Sequence, residues 1–311
     1  RALEEYGVRF DVWFSERSLH QDGSLQRAID VLSTNGHTYD KDGAVWFRST
    51  HFGDDKDRVL VKSDGRLTYL AADVAYHLNK FRRGFEKVID IWGPDHHGYI
   101  PRMKAAVEAM GYPPGSLEVM IVQLVRLIRD GQAVRMSKRG GEFVTMDELL
   151  EEVGRDAARF FFLMRSPGSH LDFDLDLARL QSNENPVYYV QYAHARICSI
   201  FRKGEEAARA EVPDPSRVDL TLLRDPSELE LIRRLADVPE EVWEAAEARE
   251  PHRMTRYASE VAALFHVFYT RCRVLGMEEE LSRARLVLAH CTRLVLKNTL
   301  SLLGVSAPER M

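Results

Sequence analysis

The sequence has little cysteine and no long apolar run. Three cysteines occur among 311 residues, Cys198, Cys272 and Cys291, and none of them forms a C-x-x-C pair. We therefore expect ordinary buried thiols in a reducing, cytoplasmic compartment, and no structural metal. No apolar stretch approaches the roughly 20 residues that cross a bilayer, so the sequence predicts no membrane segment.

Charge of one sign is not in excess either. Lys and Arg number 43 against 48 Asp and Glu, which gives a formal net charge of −5. This balance argues against a protein that coats nucleic acid with its whole surface, but a local basic groove remains open. Hydrophobic residues make up 45% of the chain and charged residues 29%, a composition typical of globular proteins. The first residue is Arg1 and no secretory signal follows it, so we interpret the sequence as a piece of a longer protein.

Strands and helices alternate in the first part of the chain. The short apolar run "KVIDIWG" (87–93) predicts a buried parallel strand, residues 99–111 predict a helix, and residues 117–134 predict further strand. A strand–helix–strand order predicts a right-handed crossover and a parallel sheet. A hairpin is predicted around residues 64–65, with a helix over 71–81 after it.

The later part of the chain is dominated by helical periodicity. Residues 145–166 predict one helix and residues 167–178 a loop, and the segments that follow repeat apolar residues with a 3.6 period. We predict a domain boundary after residue 179, giving domains 1–179 and 180–311. The predicted fold is α/β plus all-α: a partial doubly wound, Rossmann-like parallel sheet followed by a helical bundle.

A basic loop, "AVRMSKRGG" (133–141), follows the predicted strands. Loops after the strands of a doubly wound sheet bind ligands, and Lys138 would bring a mobile cation to a polyphosphate. Ser137 and the backbone amides of the glycine pair could hydrogen-bond the same group. On its own, the stretch is more typical of a solvated surface loop.

Tyr69 and Asp73, in "YLAAD", lie four residues apart at the start of a predicted helix and share one face. A carboxylate beside an aromatic ring suits a guanidinium, through bidentate hydrogen bonds and a cation–π contact. The alternative is an exposed aspartate, favoured by the helix dipole, beside a packed tyrosine.

The stretch "GPDHHGY" places Asp95, His96 and His97 side by side. Adjacent residues seldom converge on one metal ion, and no further histidine or cysteine lies nearby in the sequence, so we do not predict a zinc site. Because Gly93 ends a predicted parallel strand, a ligand site at the carboxyl end of the sheet is the better interpretation.

Three tyrosines, Tyr188, Tyr189 and Tyr192, fall within about one helical turn, with Gln191 and Arg196 beside them. Unpaired nucleic-acid bases are bound by stacking on aromatic rings and by hydrogen bonds to their edges. The alternative for any one of these tyrosines is that it fills the core of the bundle.

Several ordered motifs together resemble arginyl-tRNA synthetases of the bacterial type. "RMSKR" is similar to the KMSKS motif of class I aminoacyl-tRNA synthetases, and four longer stretches extend the resemblance over most of the chain. These stretches are "TYLAADVAYHLNKF", "WGPDHHGYIPRMKAA", "VGRDAARFFFLMRSP" and "NPVYYVQYAHARICSI". Cysteinyl-tRNA synthetases share the fold, but their zinc-ligand cysteines have no counterpart here.

The resemblance implies an ATP site at the basic loop. In that family the loop stabilises the triphosphate of ATP, which carries Mg²⁺, while the amino-acid carboxylate attacks the α-phosphorus. The resemblance assigns this catalytic role to Lys138 with Arg135 and Ser137, and it places Met136 in the same ATP-binding loop. Arg135 and Arg139 stand where the motif has Lys and Ser, and Arg and Lys are not interchangeable in shape or hydration.

The resemblance also implies binding sites for L-arginine and for tRNA(Arg). It assigns the arginine pocket to Tyr69 and Asp73, with His96, and it places Asp95 and His96 at the border of the amino-acid and adenosine pockets. The helical half resembles the family's anticodon-binding bundle. There it assigns anticodon contacts to four residues, Tyr188, Gln191, Tyr192 and Arg196.

The HIGH motif of the family is not found in this chain, since no H-x-G-H tetrapeptide occurs in the 311 residues. The sequence therefore predicts the C-terminal portion of an arginine–tRNA ligase, without the HIGH-motif half and inactive by itself. The longer parent is expected to be a monomer. A non-catalytic tRNA-binding module derived from a synthetase is the alternative, and a generic nucleotide-binding protein explains the loop but not the ordered motifs.

Overall fold

The structure, a computed structural model, describes residues 1–134, 144–206 and 213–311. Two compact units occur, and we name them by their content. The sheet unit is Phe10–Leu124, and the bundle unit combines Arg1–Arg9 with Val125–Met311. The chain thus passes from the sheet unit to the bundle unit after Leu124. The domain boundary after residue 179 stays a prediction.

Helices and strands are numbered in chain order. The helices are α1 (Ala2–Glu5), α2 (Glu16–Gln21), α3 (Ser24–Thr34), α4 (Tyr69–Arg82), α5 (Ile100–Ala109), α6 (Met146–Val153), α7 (Arg155–Phe162), α8 (Leu175–Arg179), α9 (Pro186–Glu206), α10 (Pro226–Ala236), α11 (Val238–Glu247), α12 (His252–Arg271) and α13 (Glu279–Leu302). The strands are β1 (Thr38–Lys41), β2 (Ala44–Phe47), β3 (Arg58–Val61), β4 (Val88–Trp92), β5 (Leu117–Ile121), β6 (Val125–Arg129), β7 (Gln132–Ala133) and β8 (Leu171–Asp174). Within the described ranges, no helix has both the length and the apolar character that a bilayer crossing requires.

The sheet unit contains the predicted parallel crossover. β4 and β5 pair in parallel with α5 between them in sequence, and Val88 lies opposite Leu117. Val88 is buried, but Ile89 and Ile91 on the opposite face are exposed, at 41% and 68%. The strand is therefore covered on one face, not on both as its apolar run predicted, because side chains alternate between the faces of a strand.

The predicted hairpin around residues 64–65 is only partly present. β3 continues into a turn with Gly65 in the left-handed region, at φ +80°, and beyond the turn a single antiparallel bridge joins Val61 to Leu67. The second strand is wrong because α4 already begins at Tyr69. Thr68 fixes this start, since its hydroxyl donates to backbone carbonyl oxygens of β3 at 2.9 and 3.2 Å.

The bundle unit contains a small sheet of β6, β7 and β8, which was predicted only in part from the sequence. β6 pairs antiparallel with β7 and parallel with β8, so the predicted loop over 167–178 is wrong. Its later half alternates apolar and acidic residues, and Phe173 is fully buried with its ring centroid 5.3 Å from that of Phe161. Period-two alternation is a strand signal, which the flanking Pro, Gly and Ser residues obscured.

The helix predicted over 145–166 is broken in two at Gly154. Thr145 caps α6 through a capping box with Glu148. Gly154 then adopts φ +78°, in the left-handed region that favours glycine. This residue is the C-cap of α6 and the N-cap of α7, so two short helices form in place of one.

The long helices α9, α12 and α13 form the bundle core. Phe265, Phe268 and Leu296 are fully buried there. Arg159 of α7 joins the end of α13 to the N-terminal segment, donating to the carbonyl oxygens of Leu303 at 2.9 Å and of Tyr6 at 3.0 Å. The guanidinium lies against the turn after Leu303, where a side chain in place of the glycine would collide with it.

A buried ion pair stabilises the start of α10. Glu228 is 1% exposed; one carboxylate oxygen accepts from Arg285 of α13 at 2.6 Å and the other from the backbone nitrogen of Asp225 at 2.9 Å. Removing one partner of such a pair leaves the other charge desolvated and unpaired.

We expect Glu228→Gln to lower the free energy of unfolding by about 3 kcal/mol, because Arg285 then lacks its counter-charge. Urea unfolding followed by circular dichroism measures the change. Glu230→Gln, at an exposed position of the same helix, is the control and should shift it by less than about 0.5 kcal/mol. Equal effects of the two substitutions would contradict a role for the buried pair.

Candidate functional site

A cation-rich cavity lies in the bundle unit between the second half of α9 and the end of α12. Its volume is about 910 Å³, and the backbone segment after α12 and residues near Met311 complete its wall. None of its described lining residues is acidic, and the lining includes six cationic side chains: Arg196, Arg202, Lys203, Arg271, Arg273 and Arg310. Such a surface attracts polyanions.

Stacked rings flank this cavity. The rings of Tyr188 and Tyr192 are nearly parallel, 7° apart in plane, with centroids separated by 6.2 Å. The guanidinium of Arg196 lies 5.0 Å from the centroid of the Tyr192 ring and 4.9 Å from that of Tyr269. Tyr192, Arg196 and Tyr269 all line the cavity. Tyr189, by contrast, packs against the bundle core, which is the alternative considered for one tyrosine of this turn.

Gln191 takes part in the packing of the bundle itself. Its side chain is buried, and its amide nitrogen donates to Asp156 at 2.9 Å and to the carbonyl oxygen of Ser306 at 3.0 Å. The amide protons of Gln191 are thus already bound within the bundle, and its predicted anticodon contact stays a prediction.

The arginines of α12 and the segment after it differ in their surroundings. Arg253 pairs with Glu244, and Arg256 pairs with Glu260 at 2.7 Å. Arg271 and Arg273 line the cavity instead. Of these four arginines, only Arg271 and Arg273 are therefore placed to meet a polyanion in the cavity.

In the sheet unit, Tyr69 and Asp73 occupy the first turns of α4. Tyr69 is 89% exposed, and Asp73 is half-buried one turn later. The hydroxyl of Tyr99 donates to Oδ2 of Asp73 at 2.6 Å. Burial and this hydrogen bond to Asp73 raise the pKa of Tyr99 well above its usual range, so the phenol stays protonated and the aspartate remains an acceptor.

The predicted strand-end residues follow β4 directly. Asp95 and His96 are exposed on a 3-10 helix, Pro94–Tyr99, at the carboxyl end of the strand. The ring of Trp92 lies 6.3 Å from that of His96 and 5.9 Å from that of Tyr99 between centroids. Tyr99 thus connects this segment to Asp73.

A buried ionic network supports α4 beneath Asp73. His77 lies with Nδ1 at 2.7 Å from the backbone oxygen of Asp73 and Nε2 at 2.7 Å from Oδ2 of Asp90. Lys80 donates to the other oxygen of Asp90 at 2.6 Å. Burial alone would raise the pKa of Asp90, but hydrogen bonds and charge from His77 and Lys80 outweigh burial and lower it.

The ATP-loop residues Arg135, Met136, Ser137 and Lys138 lie outside the described residues. No cluster of three or more His, Cys, Asp or Glu side chains able to hold a metal ion occurs in the part of the chain that the structure describes.

Sequence reasoning missed two aromatic residues at these sites. Tyr99 lies in the quoted "GPDHHGY" stretch, but its role depends on contact with Asp73, 26 positions earlier. Tyr269 meets Arg196 from another helix. The four-residue spacing of Tyr269 and Arg273 could have indicated a binding surface at this end of α12. Local pattern could not show that this surface meets α9.

Comparison with known families separates the chain into two matched parts. Residues 2–162 match the family model described as "tRNA synthetases class I (R), catalytic domain", and residues 190–311 match the "DALR anticodon binding domain". The fold and these matches therefore define a class of protein: part of a class I synthetase catalytic fold, followed in the chain by a helical anticodon-binding bundle. The catalytic match covers more than half of the residues, and the chain belongs to the arginyl-tRNA synthetase family.

Individual relatives agree with this assignment. The chain is 60% identical over 311 residues to an arginine–tRNA ligase of Moorella thermoacetica, matching 100% of this chain and 55% of that protein. It superimposes on a provisionally identified arginyl-tRNA synthetase from Campylobacter jejuni with TM-score 0.90 and 36% identity, covering 100% of this chain and 66% of the other. For the Thermus thermophilus arginyl-tRNA synthetase the values are 0.82 and 25%, covering 100% and 62%. The chain thus spans about half the length of the curated relatives it matches.

We expect Asp90→Asn to lower the free energy of unfolding at pH 7 by about 3 kcal/mol, because Lys80 loses a buried counter-charge and His77 loses its carboxylate partner. The pKa of Asp90 is lower in the folded chain than its unfolded value near 3.9. Its stabilisation is therefore present above about pH 4 and is lost as the pH falls through the folded-state pKa.

Urea unfolding of the wild-type chain and of Asp90→Asn between pH 3 and pH 7 measures the difference in their free energies of unfolding. The stability gap should be widest at neutral pH and should narrow below pH 4. Asp30→Asn, at an exposed position of α3, should leave the profile unchanged. A gap that does not depend on pH would argue against a charged Asp90.

Proposed function

We propose that this chain is part of an arginine–tRNA ligase. The reaction joins the carboxylate of L-arginine to the α-phosphorus of ATP with loss of pyrophosphate, and then transfers the arginyl group to the terminal ribose of tRNA(Arg) with release of AMP. The observation that carries the proposal is the cation-rich cavity flanked by stacked tyrosines, in a chain that matches arginine–tRNA ligases along its whole length.

The substrate guanidinium is proposed to bind at the start of α4. Oδ1 of Asp73 accepts from it, while Tyr99 holds Oδ2 and so fixes the plane of the carboxylate. The exposed ring of Tyr69 covers the cation, and His96 borders the pocket at the end of β4. A site of this kind rejects neutral side chains, since Asp73 would then lose a charged partner.

The strand-end segment and the basic loop are each proposed to supply contacts to ATP. Asp95 and His96 would border the adenosine, and Arg135, Met136, Ser137 and Lys138 would contact the triphosphate. Mg²⁺ accompanies ATP and shares its negative charge. The lysine ammonium stabilises charge on the leaving pyrophosphate, which is why a cationic loop supports this chemistry.

The HIGH motif is proposed to lie in another part of the longer protein. The relatives are nearly twice as long as this chain, and none of the 311 residues forms an H-x-G-H tetrapeptide. We further propose that the parent acts as a monomer in the cytoplasm. The domains are proposed to be 1–179, catalytic, and 180–311, anticodon-binding.

These 311 residues alone should not exchange pyrophosphate into ATP in an arginine-dependent manner, because part of the ATP site is not encoded in them. Radioactive pyrophosphate exchange measures this, with a full-length ligase such as that of Moorella thermoacetica as the active control. Exchange at a comparable rate by the 311 residues would contradict the proposed division of the site.

The anticodon loop of tRNA(Arg) is proposed to bind at the bundle cavity. Tyr188 and Tyr192 offer parallel ring faces for unpaired bases, and Arg196 presents N–H donors beside them. Arg271 and Arg273 then face the phosphates. A non-catalytic tRNA-binding module would use the same surface, but full-chain identity to arginine–tRNA ligases favours the ligase.

We expect Tyr192→Ala to weaken binding of an arginine-accepting tRNA transcript by about 1–3 kcal/mol, because one stacking face is lost. Arg271→Ala should reduce the salt slope of binding by about one unit, since one phosphate contact is removed. Filter binding at low and moderate salt measures both effects.

The matched control is Arg256→Ala, which removes an arginine of α12 that is paired with Glu260 outside the cavity. It should change neither affinity nor slope appreciably. A transcript with a swapped anticodon should bind more weakly than the native one. Equal binding of the two transcripts would mean charge attraction only, and the anticodon assignment of Tyr188 and Tyr192 would then be wrong.

A further inference from the structure

His266, which has no role in the proposed RNA site, lies next to the tyrosine rings of that site. His266 of α12 has its ring centroid 4.9 Å from that of Tyr189 and 6.0 Å from that of Tyr192. Its own helix adds Phe265, at 5.6 Å between centroids. The imidazole therefore lies against rings from both α9 and α12.

The same imidazole faces the cavity arginine. Nδ1 of His266 lies 3.4 Å from Nη1 of Arg196. A guanidinium can only donate hydrogen bonds, so Nδ1 must be the acceptor and His266 must be neutral in this contact. Two like charges at this distance would repel instead.

The surroundings keep the imidazole neutral. Burial, followed by the charge of Arg196, lowers the pKa of His266 to about 4, although a hydrogen bond with the backbone of Tyr189 acts in the opposite direction. The side chains that face it from α9 are Tyr189, Tyr192 and Arg196, and none of them is acidic. His266 is thus uncharged throughout the physiological range.

We propose that His266 is a positioning residue, whose neutral imidazole holds the guanidinium of Arg196 between the rings of Tyr192 and Tyr269. The arginine stem is long and flexible, and a cation that is already oriented loses less freedom when RNA binds. The two tyrosine faces fix the plane of the guanidinium, and the contact with His266 fixes its rotation in that plane. This inference rests on the proposed RNA-binding function for its consequence, but the positioning itself is a property of the free protein.

The first test measures Arg196 without RNA. Relaxation of the ¹⁵N nucleus at Nε of Arg196 reports how rigidly the guanidinium is held, on the timescale of side-chain motion. The wild-type chain should show an ordered Nε–H vector. His266→Phe keeps a ring but removes the acceptor and should release the guanidinium, whereas His266→Asn keeps an acceptor near the position of Nδ1 and should restore most of the order.

The second test is a double-mutant cycle on binding of the tRNA transcript. His266→Phe should weaken binding about five- to tenfold in the wild-type background and have no further effect in Arg196→Ala, because His266 acts through that arginine. The ratio of the affinities of wild type and His266→Phe should stay constant between pH 6 and pH 8. A histidine that met phosphate directly would instead strengthen binding as the pH fell towards its ordinary pKa.

The outcomes separate the two proposals. Failure of the wild-type chain to prefer the native anticodon would reject the RNA assignment, while the relaxation data would still decide the positioning role. An equally ordered Arg196 in His266→Phe would overturn the inference. So would a loss of affinity from His266→Phe that is undiminished in Arg196→Ala, or one that His266→Asn shares fully. Thermal unfolding of each variant checks that the bundle is intact.

Discussion

The guanidinium of Arg196, between the rings of Tyr192 and Tyr269, is the interaction on which the bundle cavity depends. It joins α9 to α12 at the place where both helices also supply cations to the same wall. Because the contact uses the ring faces, the guanidinium edge is left for hydrogen bonds. Core packing beneath it, through Phe265 and Phe268, sets the distance between the helices and therefore the width available to a stacked base.

The sheet unit follows a comparable rule with opposite charge. There a single carboxylate, Asp73, is fixed from two sides: Tyr99 binds its side chain, and His77 binds its backbone carbonyl. His77 is fixed in turn by Asp90 on β4. The start of α4 is therefore fixed relative to β4, and a cation bound at Asp73 would meet groups that need little rearrangement.

Local pattern predicted the parts of the molecule that depend on sequence neighbours. The pair Tyr188 and Tyr192 was found because four residues make a helical turn, and β4 because its apolar run is short and β-branched. The role of Tyr269 was not predicted, because Tyr269 contacts Arg196, which lies 73 positions earlier in the chain. No local period encodes such a contact. The strand over 171–174 was not predicted because Pro, Gly and Ser residues beside it obscured the pattern. The break at Gly154 was not predicted because it depends on a single glycine in the left-handed region. The residue types of the proposed arginine pocket were predictable from the sequence, whereas the hydrogen bond from Tyr99 to Asp73 required the fold.

The crowding of like charge in the cavity has a cost for the protein when nothing is bound. Six cations share about 910 Å³ without an acidic side chain among the described lining residues, so their mutual repulsion raises the free energy of the empty folded bundle. A polyanion that binds only the folded chain removes this repulsion and shifts the folding equilibrium by mass action. RNA would then act as a folding ligand, and protein purified free of nucleic acid should be the less heat-resistant preparation.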